Sequence, residues 1–356
     1  MLEINDTRKQ KEFNKITFSN YKKTEAKKQV IKCLGKGEIE ESCYWIAEFI
    51  CAGHFIDLWE ILIEFISRYI HLGNPKLPIY MNMRFENFKD ILINGYIGNE
   101  IRLRNNTKIR KLFAEIVTIL CLSRKKHSMS PIKINKKEFQ MTNLTHHLKA
   151  EKILYANGIF RKEDPKELFI AINELGYHLS TDSKNSLLAC YWIEWVIEFT
   201  CLCSKDGKEC RGDRRSQIPV SDKFQTDIIW IIWELLLHYS HKKSKMCHLI
   251  IEDLLKLFCI RFSTATRKKR RYILYFAVSL ITDNFDQNIK IFESKQIIQN
   301  VTNQIDIIYK QVKKNEKAPK TDYLFNNSII GGKKNLENTI KKIETMNALI
   351  NFVPRK

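Results

Sequence analysis

The sequence predicts an all-α protein built from tandem helical-hairpin blocks, helical-repeat or bundle-like in architecture. Glycine and proline are scarce, at 12 and 7 in 356 residues, whereas a barrel or sandwich needs many tight turns. Apolar residues recur at helical spacing, as in Phe55, Leu58, Trp59, Leu62, Phe65, Ile66 and Tyr69, which form one stripe of a helix. The word Cys43-Tyr44-Trp45-Ile46 returns as Cys190-Tyr191-Trp192-Ile193, which suggests a duplicated helical unit.

The elements follow in order. A charged lead-in over residues 1–41 carries one helix near 24–34, ended by Gly35 and Gly37. Helices are expected over 39–52, stopped by Gly53, and over 55–72, stopped by Gly73 and Pro75. Another covers 78–94, and a basic approach at 102–110 leads into an apolar helix at 111–122. Residues 123–137 read as a linker, with Arg124, Lys125, Lys126, Ser128, Ser130 and Pro131 close together. A helix over 137–157 follows, and Asp164-Pro165 opens the next one.

The second block repeats the order of the first. An aromatic-rich helix at 228–239 answers 55–69, and Arg267–Arg271 precedes an apolar helix at 272–281 as Lys108–Lys111 precedes 112–122. An insertion at 204–222 lengthens the second copy. The expected divisions are 1–123, 124–165, 166–284 and 285–356. In the last, Ile297, Ile298, Val301, Ile305 and Ile308 mark a helix. A lysine-rich loop with Gly331-Gly332-Lys333-Lys334 and a short helix near 335–350 complete it.

The charge balance points to partners. Sixty Lys and Arg against forty Asp and Glu give a net charge of +20, a surface that attracts polyanions. A lysine- and isoleucine-rich composition also arises from an A/T-rich genome. The charged N-terminus has no apolar secretory core. Most of the ten cysteines sit in apolar runs, as small buried hydrophobes of a reducing compartment do. These features imply an intracellular protein, cytoplasmic or nuclear, with no membrane partner. The apolar stretches 55–70 and 228–237 are interrupted by charge or too short to span a bilayer.

The cationic clusters are the candidate nucleic-acid contacts: Arg267, Lys268, Lys269, Arg270 and Arg271, then Arg211, Arg214 and Arg215 in the insertion, then Lys242 and Lys243. Clustered cations bind phosphates by releasing counterions. A solvated face or an address signal would use the same residues. Cys201, Cys203 and Cys210 have the only metal-like spacing, with Cys190, His238 or Cys247 as a possible fourth ligand, but C-x-C is not the usual zinc knuckle. A helix end and a surface loop explain them, so no metal is assigned. His238 and His241 could share a helix face but lack a partner of matching spacing. Glu48, Glu194 and Glu198 lie on apolar helices, where a nearby Arg or Lys usually neutralises a carboxylate. No phosphate-binding loop, dinucleotide fingerprint, zinc-protease motif or nucleophile elbow occurs, so neither a catalytic residue nor a cofactor is expected.

Residues Tyr44, Trp45, Ala47 and Gly53, then Leu62, Phe65, Ser67, Ile70, Leu72 and Pro75, resemble the collar segment of clamp-loader-type AAA ATPases, especially the Werner-helicase-interacting branch. In that family the segment drives oligomerisation beside an ATPase motor. The motor is missing here, and Glu60-Ile61 stands where the family has an arginine pair. From Ile16-Thr17-Phe18 through the 71–78 segment the chain also resembles uncharacterised proteins of large nucleocytoplasmic DNA viruses, which implies a viral-factory or virion setting. Two functions are therefore expected. One is a non-enzymatic factor associated with nucleic acid, in viral genome replication or expression. The alternative is an interaction scaffold or oligomerising collar-like module with an acidic partner.

Overall fold

The computed structural model describes residues 3–207 and 210–317. Among them the chain forms helices and connecting turns with no strand; one isolated bridge joins Ile16 to Lys22. The expected loop and helix beyond 317, with Gly331-Gly332-Lys333-Lys334, lie outside the described residues.

Five helices build the first block: α1 Lys23–Lys36, α2 Ile39–Cys51, α3 Phe55–Phe65, α4 Leu77–Ile93 and α5 Thr107–Leu122. Their ends follow local chemistry. Gly37 closes α1 at φ 77°, the left-handed geometry that glycine adopts at little cost. The Asn106 side chain accepts the amides of Lys108 and Ile109 to start α5. Five more helices build the second block: α6 Phe169–Leu179, α7 Ser186–Lys205, α8 Ile229–Lys243, α9 Lys245–Cys259 and α10 Arg271–Thr282. A last helix, α11, covers Lys295–Lys313.

The same pairs pack in both blocks. α1 meets α2, α3 and α5, α2 meets α3 and α5, and α4 meets α5. Likewise α6 meets α7, α8 and α10, α7 meets α8 and α10, and α9 meets α10. Trp59-Glu60 in α3 is matched by Trp233-Glu234 in α8, both tryptophans are buried, and both glutamates pair with a buried arginine: Glu60 with Arg270, Glu234 with Arg215. The blocks share one apolar core and meet where α4 packs on α9.

One difference separates the copies. α8 and α9 are joined through Ser244 alone and pack directly on each other. The helix expected to run through 72 ends at Phe65 in a π-helical turn, Ile66–Ile70, and a 3₁₀ turn, His71–Gly73. The linker answers the freed carbonyls: Lys126 N donates to Ile70 O at 3.2 Å and Ser128 N to Arg68 O at 2.7 Å. Gly73 is required there, since a Cβ would lie 2.2 Å from Arg124 O. Beyond this break α4 meets α3 through the rings of Phe85 and Phe88 against Trp59, while its backbone packs on α9 and α5.

Two further expectations are corrected. Residues 137–157 form no long helix, only short turns at Lys136–Phe139, Met141–Leu144 and Thr145–His147. Side chains of α6 capture the backbone instead. Glu174 accepts the amides of Lys149 and Ala150, and Asn173 accepts Tyr155 N while donating to Lys152 O. Buried backbone groups need partners, and these partners favour an extended path. The period of isoleucines after 283 does form a helix, but α11 is no detached tail. It packs on α2 and α5 and buries Ile305, Ile308, Tyr309 and Val312 in the core of the first block.

By length and composition α7 is apolar enough to cross a membrane, which the reading of the apolar runs overlooked. It lies packed between α6 and α10, and its acids are neutralised as expected: Glu194 by Arg271 and Glu198 by Lys268. Glu48 on α2 instead accepts the Ser19 amide at 2.8 Å and its hydroxyl.

Candidate anion-binding site

The longest cationic run does not face solvent as a unit. Thr266–Lys269 is a single helical turn, and Arg270 breaks it at φ −104°, ψ 22° before α10 starts. The side chains therefore fan out to three helices and a loop. Arg267 meets Asp227 at 3.6 Å, Lys268 meets Glu198 at 2.6 Å and Arg271 meets Glu194 at 3.3 Å. Arg270 is buried, pairs with Glu60 across the blocks, and donates to Phe258 O at 2.6 Å. Burial raises the Glu194 carboxyl, against the pull of Arg271 and of the Tyr275 hydroxyl, which donates to it at 2.8 Å. Lys269 alone of the five is exposed without a carboxylate partner among the described residues. As candidate nucleic-acid contacts the five do not stand together, since internal acids take four of them.

The insertion behaves likewise. Arg215, expected as a phosphate contact, is 0 % exposed. Its guanidinium grips Asp164 through two bonds of 2.7 Å and reaches Glu234 at 2.9 Å. Arg161 also pairs with Glu234. Burial pushes the Asp164 carboxyl up, but Arg215 and the amides of Arg161 and Asp213 outweigh it and hold the carboxyl below its ordinary range. Arg214 is exposed and pairs loosely with Asp222 at 3.2 Å, and Arg211 lies on the exposed edge of the loop. Cys201 and Cys203 sit in the last turns of α7 and Cys210 in the loop beyond it. The Cys210 thiol is pushed up to about 12 by burial and by the neighbouring Cys203. Among the described residues no group of three or more His, Cys, Asp or Glu is arranged to hold a metal ion.

Unpaired cations gather elsewhere, around Lys242 and Lys243. A cavity of about 720 Å³ opens where α6, α8 and α10 end and the loop at 152–157 passes. Lys152, Lys184, Lys242 and Lys243 line it against a single carboxylate, Asp182, which accepts the Tyr155 hydroxyl at 2.7 Å. Burial, with Lys242 and His241 nearby, pushes the His238 imidazole below its ordinary pKa. Thr181, Asn157 and Asn284 add polar groups that can donate to oxygens.

Helix C-termini carry partial negative charge, so part of this lysine charge is local compensation. Lys243 shows it plainly: its ammonium donates to the carbonyls of Ile281 and Asp283 at the end of α10. Lys125 does the same for α5, through Leu120 and Cys121. Lys152, Lys184 and Lys242 are exposed and have no carboxylate partner among the described residues, and Lys242 rests over the Tyr239 ring. Lys184 holds a left-handed φ of 47° in the α6–α7 turn. Three free ammonium groups around one concavity suit phosphate oxygens. The cavity offers no nucleophile–base pair for chemistry. Sequence reasoning found Lys242 and Lys243 but missed Lys152 and Lys184, because the loop that carries Lys152 is held by Asn173 and Glu174 and the turn that carries Lys184 by Ser180 and His178.

Comparison with protein-family models, with curated proteins and with solved structures found no match.

Proposed function

We propose that this chain is a non-enzymatic, nucleic-acid-associated helical protein whose phosphate contacts are made by Lys152, Lys184 and Lys242. The observation that carries this reading is the concavity where those three cations stand without acid partners. It is supported by a net charge of +20 that internal pairing leaves in excess at the surface. Phosphate contacts of this kind fix position without reading bases, so sequence preference is weak. Ten free cysteines fit a reducing, intracellular setting. The shared set of helix pairings supports descent of the two blocks from one duplicated unit. A role in viral genome replication or expression rests on the sequence likeness alone.

The test is binding of labelled duplex DNA and RNA across a salt series. Neutralising about three phosphates gives a log–log slope near −2.7 from this site. The triple variant Lys152→Gln, Lys184→Gln, Lys242→Gln should flatten the slope by about that amount with an unchanged circular dichroism spectrum. An unchanged slope in the folded triple variant would remove the site. It would shift the weight to an interaction scaffold with an acidic protein partner.

A further inference from the structure

The two blocks are built alike except at one hairpin, and that exception leaves a cavity. In the second block α8 and α9 close on each other, and Trp233 is covered by Phe258 at 5.3 Å between ring centres. In the first, Trp59 is covered by Phe85 and Phe88 of α4 at 5.1 and 5.8 Å, and beyond the break at Ile66–Gly73 the α4 backbone lies against α9 and α5 rather than α3. The space left, about 680 Å³, is walled by Trp59 and Ile63 of α3 and by Phe85, Phe88 and Leu92 of α4. Cys259, Ile260 and Arg261, at the end of α9, close it from the other block. A volume of this size, apolar and placed between two structural units, is the usual setting of a small-molecule site.

The walls and lip specify the ligand. Trp59 meets Phe85 edge-on at 5.1 Å and 87°, and Phe88 at 5.8 Å, which leaves Trp59 2 % exposed, so the half-buried Phe85 and Leu92 give the wall its accessible apolar surface. Most charges at the lip are already answered: Glu60 by Arg270, Glu86 by Lys89, Lys256 by Asp253. Arg261 is the exception among the lip cations. It has no acid partner among the described residues and holds a left-handed φ of 44°, a costly conformation for a side chain of this size. Glu86 and Glu100, also on the lip, disfavour a polyanion. That separates this cavity from the lysine site at the far end of the second block.

We infer that the cavity between α3, α4 and the end of α9 binds a flat aromatic compound carrying one anionic group, with its rings against Phe85 and Leu92 and its anion at Arg261. The inference is independent of the phosphate-binding reading, since no lining residue is shared.

The probe is 8-anilinonaphthalene-1-sulfonate, an aromatic monoanion, with uncharged N-phenyl-1-naphthylamine as its neutral counterpart. Both should bind the folded protein saturably at one site, with energy transfer from tryptophan. Arg261→Gln should weaken the anionic probe about tenfold and leave the neutral one within about twofold, because a charge-assisted contact contributes roughly that much. Ile56→Trp adds bulk at the mouth, where Ile56 is 48 % exposed and replaceable without disturbing the core, and should weaken both probes. Circular dichroism and melting confirm that each variant folds. The inference is overturned if wild-type protein shows no saturable single-site binding, or if both folded variants bind both probes as wild type does.

Discussion

Arg214 and Arg215 are sequence neighbours with opposite expected consequences, and the pair tests the burial argument directly. The Arg215 side chain lies inside, holding Asp164 with two bonds and Glu234 with a third. Replacing it by methionine keeps most of the volume and removes the charge, leaving Asp164 buried without its cation. Breaking a buried pair from one side costs about 3–5 kcal/mol. The lower end applies, because Asp164 keeps the Asp213 and Arg161 amides at 2.8 and 2.9 Å and Glu234 keeps Arg161 and Gln217. A loss of about 3 kcal/mol lowers the melting temperature of a chain this long by roughly 4 °C. Arg214→Gln removes a pair whose side chains are 57 % and 82 % exposed and one hydrogen bond, from Arg214 Nε to Gln225 Oε1 at 2.7 Å, which together are worth about 1–2 kcal/mol at most. Urea titration followed by tryptophan fluorescence measures both.

The acid limb gives a second readout. Asp164 has a folded pKa below its unfolded one, so its stabilisation is present above the unfolded value, near 3.8, and is lost as pH falls through the folded value. The gap between wild type and Arg215→Met should therefore narrow below about pH 4. Equal destabilisation by the two substitutions at pH 7, or a gap that widens in acid, would refute the reasoning.

Two other outcomes follow from burial. His71 and His178 are buried, and burial pushes each imidazole down to about 4. Below about pH 6.5 the unfolded chain takes up protons that the folded one refuses. Stability should fall between pH 6.5 and 4, by at most about 3 kcal/mol per histidine, and flatten below. His71→Gln, which carries no titratable ring, should remove its share of the slope in pH-dependent urea titrations. Tyr309 on α11 is 1 % exposed, with Arg110 stacked 4.1 Å above its ring. Tyr309→Ala should cost about 3–5 kcal/mol in the same assay, whereas a detached tail would lose almost nothing.

Much of the helical layout was legible because it is written locally. Period and glycine stops gave α1 and α2 almost to the residue, and the cap at Asn106 falls inside the expected basic approach. What was hidden depends on remote partners. The run Arg267–Arg271 looks like a phosphate-binding strip until Glu60, Asp227, Glu194 and Glu198 converge on it from two helices and a loop. The acids on α7 hinted at this, since a carboxylate on an apolar helix needs a cation, but nothing in the spacing says which one. Residues 137–157 misled for a related reason: their amides are claimed by Asn173 and Glu174, and helix propensity does not register such a competitor. The aromatic cavity was invisible as well, because the stripe that names Trp59 as a core residue does not reveal which helices come to line the space beside it.

The placement of α11 bears on the order in which the chain can assemble. The surface of α2 and α5 that it covers is complete in sequence by Leu122, yet its cover begins at Lys295. During synthesis the second block is therefore made, and can close on itself, while that surface of the first still awaits a segment from far downstream. Joining the two closes a loop through the whole second block, a slow step because contacts so distant in sequence must be found before they stabilise anything. An apolar helix face left waiting is also the natural binding target of a chaperone. Dividing the chain at residue 123 would make the wait permanent, whereas fusing 295–313 directly behind 122 should let the first block mature alone.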